Sequence, residues 1–290
     1  MNRFPLLALA MLSLATPALA NECQLEFVES AQSVNLPNIE IGVGEFSREN
    51  FNVSVRNTGG ASCDGVIRFT RVGVPMADTP QYSLQSGPTV LEILPQHGSS
   101  TLNSDLLITA SPTDSSGRSI PFQITVPSEW GLKAGNYGDQ IELALLDASG
   151  AVLDTLLLTV HIEVPQAVAL RIVGATGFNE VARIDLGNLS SERPTTSDPF
   201  GVRIWSTSGY RVEFSSENRS ELVHEGNLDR IAYQLHFNNQ LVNLAGGDGF
   251  LFGQHTPSLG QVHSLRVEVG PVTARAGQYT DRVTVTVTAV

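Results

Sequence analysis

The chain has 290 residues, with 17 Lys and Arg against 29 Asp and Glu, a formal net charge of −12 and one lysine, Lys133. Phosphate-backbone binding needs clustered positive charge, so this balance argues against a nucleic-acid partner. Beyond the first twenty residues no apolar run is long enough to cross a bilayer as a helix, which argues against membrane insertion.

Residues 1–20 read as a signal peptide: Arg3 supplies the positive start, residues 6–14 the apolar stretch, and Ala18-Leu19-Ala20 a small-x-small cleavage site. Mature protein is then expected to begin near Asn21. Asn21-Glu22 does not supply the small residues of a lipobox ahead of Cys23. Cys23 and Cys63 are the only cysteines, an even count in an exported chain, and predict one structural disulfide. On the chain-entropy estimate a loop of about forty residues is worth roughly 3–4 kcal/mol. Neither a C-x-x-C redox pair nor a fuller zinc-ligand set accompanies them, so no metal and no cofactor is expected.

From there the texture is all-β. Short runs of Val, Ile, Leu, Thr and Phe alternate with Gly, Ser, Asn, Asp and Pro clusters at spacings of about 8–15 residues. Phe51-Asn52-Val53-Ser54-Val55-Arg56 alternates and ends at Asn57-Thr58-Gly59-Gly60; residues 66–72 and 120–126 are further strands. Residues 168–173 and 181–186 are expected as strands, and residues 200–205 and 210–214 as a hairpin. Asn238-Asn239, between residues 231–237 and 240–244, suits a tight turn with positive φ.

The most informative pattern is a repeat. Ala134-Gly135-Asn136-Tyr137-Gly138-Asp139 leads into the strand Gln140-Ile141-Glu142-Leu143-Ala144-Leu145. Ala276-Gly277-Gln278-Tyr279-Thr280-Asp281 leads into Arg282-Val283-Thr284-Val285-Thr286-Val287, 142 residues later, and each copy is preceded by an alternating strand. Two related tandem domains explain this. The reading is an N-terminal β-sandwich over residues 21–164 and a C-terminal one over residues 165–290, with Val164-Pro165-Gln166 as the linker.

The two copies differ in their downstream segments. After the first, the chain turns at Asp147-Ala148-Ser149-Gly150 and runs on through residues 152–164, with Leu156, Leu158, Val160, Ile162 and Val164 on one face. After the second, the sequence reaches Val290 with no such segment. Either residues 152–164 close the first sandwich and the second lacks its closing strand, or they open the second domain. On the first reading Leu170, Ile172, Val283, Val285 and Val287 line an uncovered groove, with Thr284, Thr286 and Thr288 outward. An uncovered edge leaves backbone groups unpaired and invites a strand from another chain.

Residues 276–287 resemble the terminal strand of the spore coat protein U-like family, which includes subunits of archaic chaperone–usher pili. Ile231-Ala232-Tyr233-Gln234-Leu235 and the Trp205-to-Tyr210 hairpin are similar to that family's middle strands, so the resemblance spans residues 167–290. The second domain departs from the family in having no cysteine. The resemblance implies incomplete immunoglobulin-like sandwiches. A periplasmic chaperone first completes each one, and the N-terminal extension of the next subunit then replaces it at an outer-membrane usher. Cys23 lies three residues past the expected cleavage site, leaving no extension to donate. A chain that accepts a strand and offers none belongs at a fibre's end, on the cell surface, as a pilus-tip adhesin. The alternative is a self-contained periplasmic or secreted two-domain binding protein or assembly chaperone.

If the first domain is outermost, its loops meet the unknown surface or receptor, and Met76, Tyr82, Trp130 and Leu132 are the loop-borne apolar candidates. An enzyme is not expected. The chain has no G-x-S-x-G, H-E-x-x-H or P-loop motif, its six histidines are scattered, and the residue three before Lys133 is Trp130 rather than a serine. Gly246-Gly247-Asp248-Gly249 reads as a plain turn rather than a calcium loop.

Overall fold

The computed structural model describes residues 23–101, 103–113, 116–173, 181–246 and 249–290. The signal peptide and Gly247-Asp248 lie outside them. Every regular element among the described residues is a strand.

The first ten strands are β1 (Leu25–Phe27), β2 (Ala31–Leu36), β3 (Phe46–Asn57), β4 (Cys63–Arg71), β5 (Ser83–Ser86), β6 (Thr89–Leu91), β7 (Asp105–Ala110), β8 (Arg118–Pro127), β9 (Gly135–Leu146) and β10 (Val152–Val164). They form two five-stranded sheets in the orders β1-β3-β8-β5-β6 and β2-β10-β9-β4-β7. Alternating residues of both sheets meet in one core, where Ile67, Phe69, Leu84, Ile124, Ile141, Leu143, Leu145 and Leu158 are fully buried. Burial of one such side chain contributes about 1.5–3 kcal/mol. β10 therefore belongs to this first sandwich: it pairs antiparallel with β9 along its length and parallel with β2, from Leu157 opposite Ala31 to Ile162 opposite Leu36.

Cys23 and Cys63 are disulfide-bonded with their Cα atoms 5.9 Å apart. Beside them Asn57, fully buried, accepts from the N–H groups of Gln24 and Gly59. Its amide donates to the Ala61 and Ala110 carbonyls. A buried polar side chain satisfied this fully locks the loop around the bridge.

The second sandwich holds β11 (Val168–Ile172), β12 (Thr195–Thr196), β13 (Phe200–Ser206), β14 (Tyr210–Ser216), β15 (Glu221–His224), β16 (Arg230–Phe237), β17 (Gln240–Leu241), β18 (Phe250–Phe252), β19 (Gln261–Val269), β20 (Tyr279–Thr280) and β21 (Val283–Ala289). One sheet runs β11-β13-β19-β16-β15-β20, with β12 on β19 and β17 on β16; the other runs β18-β14-β21. Its core is separate from the first and centres on Val202, Ile204, Tyr210, Val212, Phe237 and Val269. Asn238 and Asn239 turn the β16–β17 hairpin at φ 49° and 65°, the positive values that the dipeptide predicts. Residues 181–186 do not form the expected strand, and Val181 is 97% exposed. Their alternation meets no sheet edge among the described residues, and alternation without a pairing partner does not make a strand.

The domains meet around Thr207, fully buried at the β13–β14 turn. Its hydroxyl donates to the Pro165 carbonyl (2.7 Å) and accepts from the Ala167 N–H (2.8 Å). Its backbone N–H donates to the Ala167 carbonyl, and its own carbonyl accepts from Ala134 N–H of the first sandwich at 2.6 Å.

Inside the second core, His263 sits among Phe237, Phe252 and Tyr210. The Asn238 side-chain oxygen is taken by the Ser264 N–H, so its amide faces His263 Nδ1 at 2.8 Å. Nδ1 must then accept, and Nε2–H donates to the Tyr210 hydroxyl at 2.8 Å. Burial pushes the imidazole below its ordinary pKa and the Tyr210 hydroxyl up to about 12. The unfolded imidazole titrates near about 6.5, so the unfolded state binds the extra proton as pH falls below that value, and native stability drops. We expect the melting temperature of the second sandwich to fall between pH 7 and pH 5, and His263→Gln to flatten that slope in calorimetric scans.

Candidate functional site

The repeated hexapeptide builds the same local structure twice. Gly135 and Gly277 hold φ of 156° and 154°, a conformation that L side chains disfavour. Two residues on, the Tyr137 hydroxyl donates to the Lys133 carbonyl (2.7 Å) and the Tyr279 hydroxyl to the Arg275 carbonyl (2.9 Å). Asp139 and Asp281, closing the hexapeptides, accept from the hydroxyls of Tyr82 and Tyr233, each at 2.6 Å. Arg71 at the end of β4 pairs with Asp139, and Ser216 at the end of β14 donates to Asp281. Burial, reinforced by the neighbouring carboxylate, pushes both Tyr82 and Tyr233 far above the ordinary tyrosine pKa, so they remain donors. These tyrosines lie 57 and 48 residues before their aspartates. Only the recurrence of Asp at the hexapeptide's last position hinted at the pairs.

The sheets superimpose the repeat on topology. The order β1-β3-β8-β5 corresponds to β11-β13-β19-β16, and β9-β4-β7 to β21-β14-β18. In the first sandwich β10 stands on the free side of β9; among the described residues no strand pairs with the free side of β21.

Burial registers the difference position by position. Ile141, Leu143 and Leu145 of β9 are fully buried, with Leu158 and Leu156 of β10 across from the first two. Val283, Val285 and Val287, displaced from them by the repeat of 142, are only half-buried. On the facing edge, β11 approaches β21 without pairing to it, and Leu170 and Ile172 are half-buried as well. The five residues read from sequence as groove-lining thus come together along two adjacent edges, apolar inward, with Thr284, Thr286 and Thr288 outward and exposed. Among the described residues such a site leaves backbone donors and acceptors of β21 unpaired beside a row of apolar side chains. It can take up an extended segment with alternating apolar residues.

The loop residues require correction. Met76 is 55% exposed, but Trp130 is 8% exposed, Tyr82 spends its hydroxyl on Asp139, and Tyr82 and Leu132 pack against the first core. They do not form an exposed patch: aromatic and apolar groups in a Pro- and Gly-rich stretch gain more from covering the sandwich than from facing water. The loop of Trp130 and Leu132 lies at the interdomain end, because Gly131 between them abuts Ser258 of the second sandwich. Lys133 reaches Asp78 at 3.2 Å and brings the Met76 loop to that same end.

No protein-family model matches the chain, and no curated protein matches it. Among solved structures it is similar to a chain of the CsuC–CsuE chaperone–tip adhesion subunit pre-assembly complex, from archaic chaperone–usher Csu pili of Acinetobacter baumannii. That likeness has a TM-score of 0.44 and 16% identity over 92% of this chain and 99% of that one. Others are CfaE, the adhesive subunit of CFA/I fimbria of enterotoxigenic Escherichia coli (TM-score 0.39, 10% identity, 92% and 81% covered) and the CupB6 tip adhesin from Pseudomonas aeruginosa (0.38, 9%, 92% and 94%).

The difference in burial has an energetic consequence. Val160→Thr places a hydroxyl where β10 seals the first core and should cost about 2 kcal/mol. Val285→Thr, wet on one side, should cost less than about 1 kcal/mol. Denaturant titration of the two variants measures both.

Proposed function

We propose that the chain is a pilus-tip subunit of the archaic chaperone–usher type, related to the spore coat protein U-like family, and that it acts as an adhesin. The carrying observation is that Val283, Val285 and Val287 lie half-exposed at a sheet edge where their counterparts Ile141, Leu143 and Leu145 are fully buried beside β10. On this reading residues 21–164 form a self-complemented outer domain and residues 165–290 an acceptor domain. Leu170, Ile172, Val283, Val285 and Val287 are the acceptor groove. A periplasmic chaperone occupies it first, and the adjacent pilin's strand replaces it at the usher, on the way to the cell surface. The chain catalyses nothing; its work is to be held at one end and to touch a surface with the other.

The first sandwich also suggests how the strand lies. β10 runs antiparallel to β9 and presents Leu156, Leu158, Val160 and Ile162 inward. By that template the incoming strand runs antiparallel to β21 and offers apolar residues at alternate positions, because a slip of one residue would turn its apolar face to water.

The test is to fuse a copy of residues 152–164 after Val290 through a short turn and compare melting with the mature chain. A rise of about 5 °C or more, confined to the transition of the second domain, is expected, since about 1 kcal/mol moves a domain of this size by several degrees. A mature chain that is monomeric and indifferent to the added strand would overturn the acceptor reading in favour of a self-contained binding module.

A further inference from the structure

The joint between the two domains has the form that the acceptor reading requires between subunits. β10 fills the groove of the first sandwich, leaves it at Val164, and after a three-residue tether the chain enters β11 of the second. The second domain therefore sits on the first as the body of a strand-donating neighbour would sit on the second. The first sandwich contributes the loop of residues 128–134 to this joint. Trp130 and Ser128 of that loop are buried, Gly131 abuts Ser258, and Ala134 N–H donates to the Thr207 carbonyl.

That loop recurs in the second domain. β8 ends at Pro127 and β19 at Val269, again 142 residues apart, and the intervening loops reach Gly135 and Gly277 after the same number of residues. Val272 stands for Trp130, Thr273 for Gly131 and Ala276 for Ala134. The later loop is shaped in place: the His224 ring accepts from the Gly226 N–H, which leaves its other nitrogen to donate to the Ala276 carbonyl at 3.3 Å. Its surroundings differ in one respect. Thr273 and Ala276 are exposed and Val272 half-buried, whereas the earlier loop is covered by the neighbouring domain.

Resting on the acceptor reading, we propose that the loop carrying Val272, Thr273 and Ala276 is the docking surface for the body of the next subunit. The partner it fits is the hairpin corner of another β-sandwich, whose turn carbonyl receives the Ala276 N–H as Thr207 receives that of Ala134. Strand insertion alone would leave the next subunit swinging on its linker. This second contact fixes its direction, and a head-to-tail contact of this kind propagates into a filament.

The test duplicates the joint within one chain. Residues 147–290 are appended after Thr288, the counterpart of Leu146, so that a copy of β10 can enter the groove and carry a further domain behind it. Thr273→Cys in the original second domain is combined with Ser258→Cys in the appended one. A Cβ placed on Gly131 would lie 3.0 Å from that of Ser258, so cysteines at the corresponding positions need only a small outward shift to bridge. The expected result is an intramolecular disulfide in most molecules on non-reducing gels, none with either cysteine alone, and at least a several-fold slower bridge after Ala276→Pro. A stabilised second domain with no bridge overturns the docking surface and leaves the groove standing. A second domain whose melting does not change overturns both.

Discussion

The structure depends on one strand finding two neighbours. β10 holds the first sandwich together by pairing antiparallel with β9 and parallel with β2, and so satisfies the backbone groups of both. The same strand sets Leu156 and Leu158 beside Leu143 and Ile141 on the core face of the sheet. Neither effect is separable from the other, since period-two geometry places backbone pairing and core coverage on one element. In the second sandwich the β9 counterpart, β21, pairs on one side only among the described residues, and its valines are half-exposed along the other edge. Edge and core are one vulnerability, which is why a single external strand would remedy both.

The parts of this arrangement that were legible in the sequence are those carried by local periodicity. The repeated hexapeptide, the alternation of residues 152–164 and the paired asparagines of the β16–β17 turn announce themselves within a dozen residues. β2 was not legible: of its six residues only Val34 and Leu36 are buried, and its partner β10 lies more than a hundred residues away in parallel pairing. Residues 181–186 failed in the opposite direction, alternating without a partner. What buries Tyr82 and Trp130 lies outside a local window: Asp139 of the opposite sheet for Tyr82, and for Trp130 a loop set against the second sandwich at Gly131.

The polar contacts divide in the same manner. Asp139 with Tyr82 and Asp281 with Tyr233 pin the base of each repeated strand to the opposite sheet, and a carboxylate that accepts from several elements, buried at Asp139 and half-buried at Asp281, fixes both position and register. Thr207 plays a corresponding part between domains, where one fully buried hydroxyl meets both ends of the linker. A single turn residue thereby converts a three-residue tether into a defined joint. Nothing in Trp205-Ser206-Thr207-Ser208-Gly209 distinguishes Thr207 from its neighbours until the first domain is brought against it.

The linker leaves the first sandwich as the direct continuation of β10, at the end of the domain where β9 begins. A pull on the second domain is therefore delivered along the axis of β10, in the plane of its sheet. Loaded in that direction, the ladder to β9, which runs from Val152 opposite Leu146 to Val164 opposite Gly135, is sheared rather than unzipped. Its hydrogen bonds carry the tension together and must yield together, instead of parting one after another from an end. The placement that closes the first core also makes it the element best aligned to bear force between the domains.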